Sequence, residues 1–198
     1  MITGIRGKII EKNPAFVVIS TTGGIDYFIN ISLATYTKIG ENDEVHLYTH
    51  YVIREDEQLL FGFFDEEERS LFRLLITVNG IGVNTARLML SSMSVRELYN
   101  AISSENTKVL QAIKGIGGKT AQRVVIELKD KVGKLSITSS DSEKNSTPYN
   151  NNANSALSAL VSLGFAKNSV DAVLDKIIKT EGMDLTIEEL IKKALKLL

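Results

Sequence analysis

Apolar positions first occur in short runs. Ile5, Ile9 and Ile10 lead to an Asn13-Pro14 turn, Phe16-Val17-Val18-Ile19 to a Gly23-Gly24 turn, and Tyr27-Phe28-Ile29 follows. Two longer runs, Val45 to Ile53 and Leu59 to Phe64, complete the segment. β-Branched and aromatic runs between Asn-Pro and Gly-Gly punctuation predict strands joined by hairpins. Five short strands over residues 1–64 predict a small closed barrel of the OB type, because closure removes the exposed edges of a flat sheet.

After residue 64 the period changes. Leu71, Leu74, Leu75 and Val78 recur at helical spacing. Ser94-Val95-Arg96-Glu97 has the form of a capping box opening a helix toward Ile102, and Thr120 to Val132 predicts another helix. Over 136–155 the pattern vanishes: Ser, Thr and Asn fill 13 of the 20 positions, with Pro148 among them. Such a stretch buries too little apolar surface to offset chain entropy. It predicts a tether with a reach of about 25 Å, its linker core at 143–154. Beyond it, Leu157, Leu160, Val161 and Leu163 form one stripe, and Val170, Val173, Ile177 and Ile178 a second. Thr186-Ile187-Glu188-Glu189 opens a third helix holding Leu190, Ile191, Ala194 and Leu195. The expected architecture is α+β and multidomain: a barrel over 1–64, an all-α domain over 65–142, and a small three-helix, UBA-like module over 155–198.

The middle segment contains an internal repeat. Residues 80–90 read GIGVNTARLML and residues 115–125 read GIGGKTAQRVV, with Gly, Ile, Gly, Thr and Ala shared at an offset of 35. Each copy follows a short apolar helical pattern, so the unit is helix, Gly-Ile-Gly turn, helix, twice over. The glycines permit positive φ and close backbone approach. The helix that follows at once has first amides without internal partners, and these, with the helix dipole, favour an anion. Ile81 and Ile116 plug the turns into the core. A lone Gly-Ile-Gly is as readily a helix C-cap. Two copies in register, each followed by Thr-Ala, favour paired phosphate-gripping helix-hairpin-helix motifs, which hold a duplex without reading bases.

Charge sharpens this reading. The whole chain has 23 basic and 24 acidic residues, net −1, and does not advertise nucleic acid. Residues 75–134, however, hold 9 basic against 4 acidic residues, a local +5. The candidate DNA contacts are Gly80, Ile81, Gly82, Asn84 and Thr85, then Gly115, Ile116, Gly117, Gly118, Lys119, Thr120 and Arg123, with Lys114 nearby. The 43% apolar content argues against wholesale disorder, and the absence of cysteine excludes disulfides and thiolate metal sites. No apolar run approaches the roughly 18 residues of a membrane span, and Met1 to Ile10 lacks the core of a signal peptide, so the expected location is the cytoplasm.

Two motifs are set aside. Gly118-Lys119-Thr120 resembles the end of a phosphate-binding loop, but Ile113 stands where the loop's first glycine belongs and a helix precedes it rather than a strand. No ATP site or other cofactor is expected. His46 and His50 lie about 13 Å apart on a strand at about 3.3 Å per residue, too far for one zinc. Arg54-Glu55-Asp56-Glu57, between the two longest strands, is a carboxylate-rich tip. It is open to three readings: a polar turn, a magnesium-binding nuclease centre, or a negative pin repelling phosphates.

The barrel with IREDEQLLFGF, the NGIG and KGIGGKTAQRVVIELKD repeats, the polar tether and the terminal ALVSLGF module together resemble the RuvA family of Holliday-junction branch-migration proteins. The resemblance covers essentially the whole chain in the same order. It implies a non-catalytic homotetramer that holds a four-way DNA junction open and square-planar. One tetramer, or two face to face, would clasp the DNA. The hairpins would contact phosphates across the minor groove, and the acidic pin matches Glu55 and Asp56. The C-terminal module would bind the RuvB hexameric ATPase through a surface matching Leu160, Leu163, Gly164 and Phe165, and the RuvC resolvase would join to cut the junction. Many family members carry Pro-Lys after the first hairpin, where this chain has Val83-Asn84, so a cation is missing there.

Rival readings are a helix-hairpin-helix glycosylase or nuclease and an adaptor acting mainly through its C-terminal module. The glycosylase wants an Asp soon after the hairpin in a Gly-Pro-Asp setting, which neither copy supplies. The nuclease needs the carboxylates at 55–57 to hold a metal.

Overall fold

The computed structural model describes residues 1–41, 43–140, 148–181 and 185–198. They form two compact units, Met1–Ser136 and Ile137–Leu198.

The first unit begins with the expected barrel. Strands β1 (Gly4–Asn13), β2 (Phe16–Ser20), β3 (Asp26–Ile31), β4 (Glu44–Ile53) and β5 (Gln58–Phe63) close in the order β1-β2-β3-β5-β4. All pairings are antiparallel except β3 with β5, which is parallel. A bulge between Ile9 and Glu11 shifts the β1–β2 register and increases the local twist. Val17, Ile19, Ile29, Ile31 and Leu47, alternate residues of their strands, fill the interior.

A helix not expected from the sequence, α1 (Leu33–Ile39), lies between β3 and β4. Its only local signal is Ser32, whose side chain accepts from the Thr35 amide; no Glu follows to complete a capping box, and the helix has seven residues.

The helices α2 (Glu66–Leu75), α3 (Val83–Ser92), α4 (Val95–Ser103) and α5 (Thr107–Gln111) complete the unit with α6 (Gly118–Ser140), whose last residues, 137–140, fall in the second unit. The capping box at Ser94 and Glu97 is present in both directions. Leu71, Leu75, Val78, Ile81, Met89, Leu98, Leu110, Ile116 and Leu128 share one core. Phe61 and Phe63 of β5 enter it too, with Val52 and Leu59 packed against it, so barrel and helices are continuous. A buried polar link reinforces the junction. The Glu68 carboxylate on α2 accepts from the hydroxyls of Ser32 and Thr35 (2.8 Å for Thr35), and Thr35 Oγ1 accepts from the Phe64 amide. Burial pushes this carboxyl above its ordinary range, although both hydroxyls pull the other way.

The second unit contains α7 (Pro148–Ser162), α8 (Lys167–Glu181) and α9 (Ile187–Ala194) around Ala156, Leu160, Val170, Leu174, Ile177 and Leu190. The capping box at Thr186 and Glu189 is formed. The tether differs from expectation at both ends. α6 continues to Ser140 and α7 starts at Pro148, so much of 136–155 is helical, and the remaining linker residues, 141–147, lie outside the described residues. Proline suits the first position of a helix, and Asn and Ser follow a register set by Ala156 and Leu160, so packing overrides weak propensity. Among the described residues no helix is long and apolar enough to cross a membrane.

Candidate nucleic-acid interface

The two hairpins have the same local geometry. Gly80 and Gly115 take φ of +94° and +90°, a region that side chains rarely adopt. The Ile81 amide donates to Val78 O and the Ile116 amide to Ile113 O, each at 3.0 Å. Ala86 N reaches Gly82 O, and Ala121 N reaches Gly117 O, each at 2.9 Å, so each helix starts one residue after its glycine.

The hairpin helix starts contrast with four that carry side-chain caps. Ser32, Ser94, Asn106 and Thr186 each accept a first-turn amide through their own side chains. Gly82 has no side chain to do so, and Gly117 has none either. The amides of Val83, Asn84 and Thr85, and of Gly118, Lys119 and Thr120, therefore lack an acceptor within their helices. Gly80, Gly82, Asn84, Gly115, Gly117, Gly118 and Lys119 are exposed, and Thr85 and Thr120 are half-buried. Together with the dipoles of α3 and α6, the loops present two anion-accepting surfaces.

Ile81 and Ile116 behave otherwise. Their side chains are buried and their amides are used within the turns. They shape the loops and offer a ligand neither side chain nor N–H, which corrects their place among the candidate contacts.

The hairpins are also joined. Arg123 Nη1, on the helix after the second, donates to Asn79 O in the first at 3.1 Å. A Cβ on Gly80 would face Thr120 Oγ1 at 3.9 Å. The sequence places Arg123 among the candidate DNA contacts without revealing this link to the first hairpin. Arg87, on α3, is held by Ala15 O and Asn30 Oδ1 and fastens the first hairpin's helix to the barrel. Burial lowers its pKa. Nothing in the local sequence marks Asn79 or Arg87 for these contacts, because both are tertiary.

The carboxylate tip is a four-residue connection between Ile53 and Gln58, which pair across the hairpin. The Arg54 amide donates to Glu57 O, and Arg54 Nη1 bonds Glu57 Oε1, each at 2.8 Å. Glu57 is thereby engaged, and Glu55 and Asp56 stand exposed at the apex. Among the described residues no three His or carboxylate side chains form a group able to hold a metal ion. His46 packs edge-on to Tyr48, and His50 edge-on to Phe72.

In the second unit, α7 ends in a Schellman turn. Gly164 takes φ +101°, its amide donates to Val161 O, and Phe165 N reaches Leu160 O at 3.3 Å. Leu160 is fully buried and Phe165 packs half-buried on the same core. Leu160 is thus a core residue and not a surface contact. Leu163 remains 64% exposed, with Val161 partly exposed beside it.

Comparison with known proteins agrees with this layout. Residues 1–62 match the RuvA N-terminal domain, residues 72–130 a SAM-like helix-hairpin-helix tandem, and residues 151–198 the RuvA C-terminal domain. A protein of Christiangramia forsetii named Holliday junction branch migration complex subunit RuvA is 48% identical over 196 residues, covering 99% of both chains.

The chain belongs to the RuvA family.

Proteins of the same name from Azobacteroides pseudotrichonymphae and Bacteroides fragilis are 46% and 45% identical, covering 100% and 99% of each chain respectively. The RuvA N-terminal match ends within β5, past the acidic tip, and the tandem match spans both Gly-Ile-Gly turns. For this RuvA-family chain, the barrel, the helical hairpin domain and the C-terminal helices thus follow the family order.

Proposed function

We propose that the chain binds four-way junction DNA through backbone phosphates, without reading sequence, as the non-catalytic DNA-holding subunit of a branch-migration machine. The observation that carries this is the presence, on one compact unit, of two exposed hairpins with uncapped amides and an exposed acidic apex. Each hairpin attracts phosphate. Glu55 and Asp56 repel it, since like charges about 10 Å apart in water repel by roughly 0.4 kcal/mol, and by more where water is excluded. Four copies around a centre would hold the duplex arms outside and disfavour continuous duplex at the crossover, so selectivity arises from attraction and repulsion together.

Membership of the family, whose members are named as subunits of a branch migration complex, supports the remaining assignments. A homotetramer, alone or face to face with a second, forms the platform. Leu163, with the α7 end around Gly164 and Phe165, docks a RuvB-type hexameric ATPase that moves the DNA. A RuvC-type resolvase cuts the held junction, in the cytoplasm.

The test is a gel-shift comparison of four-way junction with linear duplex, alongside mass measurement of the free protein. Preferential junction binding by a four-chain species is expected. Equal affinity for both DNAs, or cleavage abolished by Glu55→Gln, would overturn the reading.

A further inference from the structure

Away from the hairpins, α2 carries two arginines one turn apart beside β4. Arg69 is fully engaged. Its Nη1 donates to Thr3 O (2.7 Å) and Thr49 O (3.3 Å), its Nε to Glu66 Oε1 (3.2 Å), Glu66 also pairs with its Nη2, and its guanidinium lies over the Tyr48 ring.

Arg73 is different. Its Nε–H reaches His50 Nδ1 at 3.4 Å, and among the described residues no carboxylate lies in ion-pair range. Two Nη groups with four N–H donors remain. His50, accepting at Nδ1, is neutral with its proton on Nε2, a further donor. Burial, Arg73 and Arg69 all hold His50 below its usual range, and burial and Arg69 press Arg73 downward. The nearest counter-charge, Glu66, is taken by Arg69. The cluster is rich in donors and positive charge and short of an acceptor.

Its place in the fold matters. His50 and Val52 share one face of β4, and Val52 packs with Leu59, Leu74 and Ile76 on the core that also receives Ile81 of the first hairpin. His50 is about 10 Å along the strand from Ile53, where the acidic tip begins. The cluster therefore lies beside β4, the strand that leads into the acidic tip.

We propose that Arg73, together with His50, is a third anion-binding point, taking a DNA backbone phosphate near the acidic tip. This rests on the junction-binding reading and adds a contact to it. The phosphate supplies the missing acceptor. The site attracts about 10 Å along β4 from the start of the repulsive tip.

The experiment titrates the full chain onto labelled four-way junction and linear duplex at several salt concentrations, for wild type, Arg73→Gln and Arg73→Lys, with thermal unfolding of each. Arg73→Gln is expected to weaken junction binding several-fold and to reduce the slope of log K against log salt by about 0.9, with Arg73→Lys restoring the slope. A wild type that prefers junctions, with Arg73→Gln unchanged in slope, overturns this site alone. Arg73→Lys as defective as Arg73→Gln, at unaltered unfolding, also overturns it, because charge is then not what matters. A wild type without junction preference sinks both the site and the reading beneath it.

Discussion

Arg123 Nη1 donates to the main-chain carbonyl of Asn79 at 3.1 Å, so a side chain from the second hairpin is fastened to the loop of the first. Two loops 35 residues apart in sequence thereby become one surface with a set spacing. A duplex offers phosphates at regular intervals, so preset spacing removes part of the ordering cost of gripping it.

Arg123→Ala should accelerate hydrogen exchange at the amides of residues 80–82 and weaken DNA binding, while Lys119→Ala leaves that exchange unaltered. Equal exchange in the Arg123 variant would show that the bond does not hold the hairpins together.

Lys119 is exposed one residue into α6 and has no ion pair among the described residues. Lys119→Ala should lower the salt slope of DNA binding by about one, uniformly across sequences. Fluorescence anisotropy at graded salt measures this, and an unchanged slope argues against direct phosphate contact.

The Arg54–Glu57 clamp closes the tip independently of its apex. Replacing Glu55 by Gln and Asp56 by Asn should therefore leave the hairpin intact and raise affinity for linear duplex relative to junction. Competition binding gives the ratio; a constant ratio would return the apex to an ordinary polar turn.

Glu68 offers a pH test. Its folded pKa is raised above the ordinary 4.5, chiefly by burial, so the native state holds the proton more tightly than the unfolded chain. That contribution is fully present below 4.5 and is lost as pH rises through the folded value. Wild type measured against Glu68→Gln should lose relative stability as pH rises above 4.5 in denaturant titrations. A flat difference would mean that Ser32 and Thr35 fully offset the burial.

Leu160 and Leu163 should separate fold from docking. Leu160→Ala, at a fully buried site, should destabilise the second unit by about 2–5 kcal/mol. Leu163→Asp, at an exposed one, should leave the helices folded and reduce binding of the hexameric ATPase. Circular dichroism and pull-down with that ATPase distinguish the two; tight binding by Leu163→Asp would move the docking surface elsewhere.

Features that depend on neighbours in the chain were legible in the sequence. β-Branched and aromatic runs between turn residues marked the five strands, capping boxes marked α4 and α9, and the repeated Gly-Ile-Gly marked both hairpins, because turn, cap and positive φ are local requirements. α1 was not legible: seven residues with one capping serine compete poorly with a reading as loop. The helical ends of the tether were missed because composition carries no information about the core that Ala156 and Leu160 join.

The sequence by itself therefore determined the strands, most of the helices and the bare amides of the hairpins, all set by backbone chemistry within a few residues. Only the tertiary structure decided which side chains remain available. Ile81, Ile116 and Leu160 are consumed by packing, and Arg69 and Arg87 by distant carbonyls, while Arg123 spends one Nη1 donor on the other hairpin and Arg73 is left with donors to spare. Burial and long-range hydrogen bonds join residues far apart along the chain, and no local pattern encodes which of them meet.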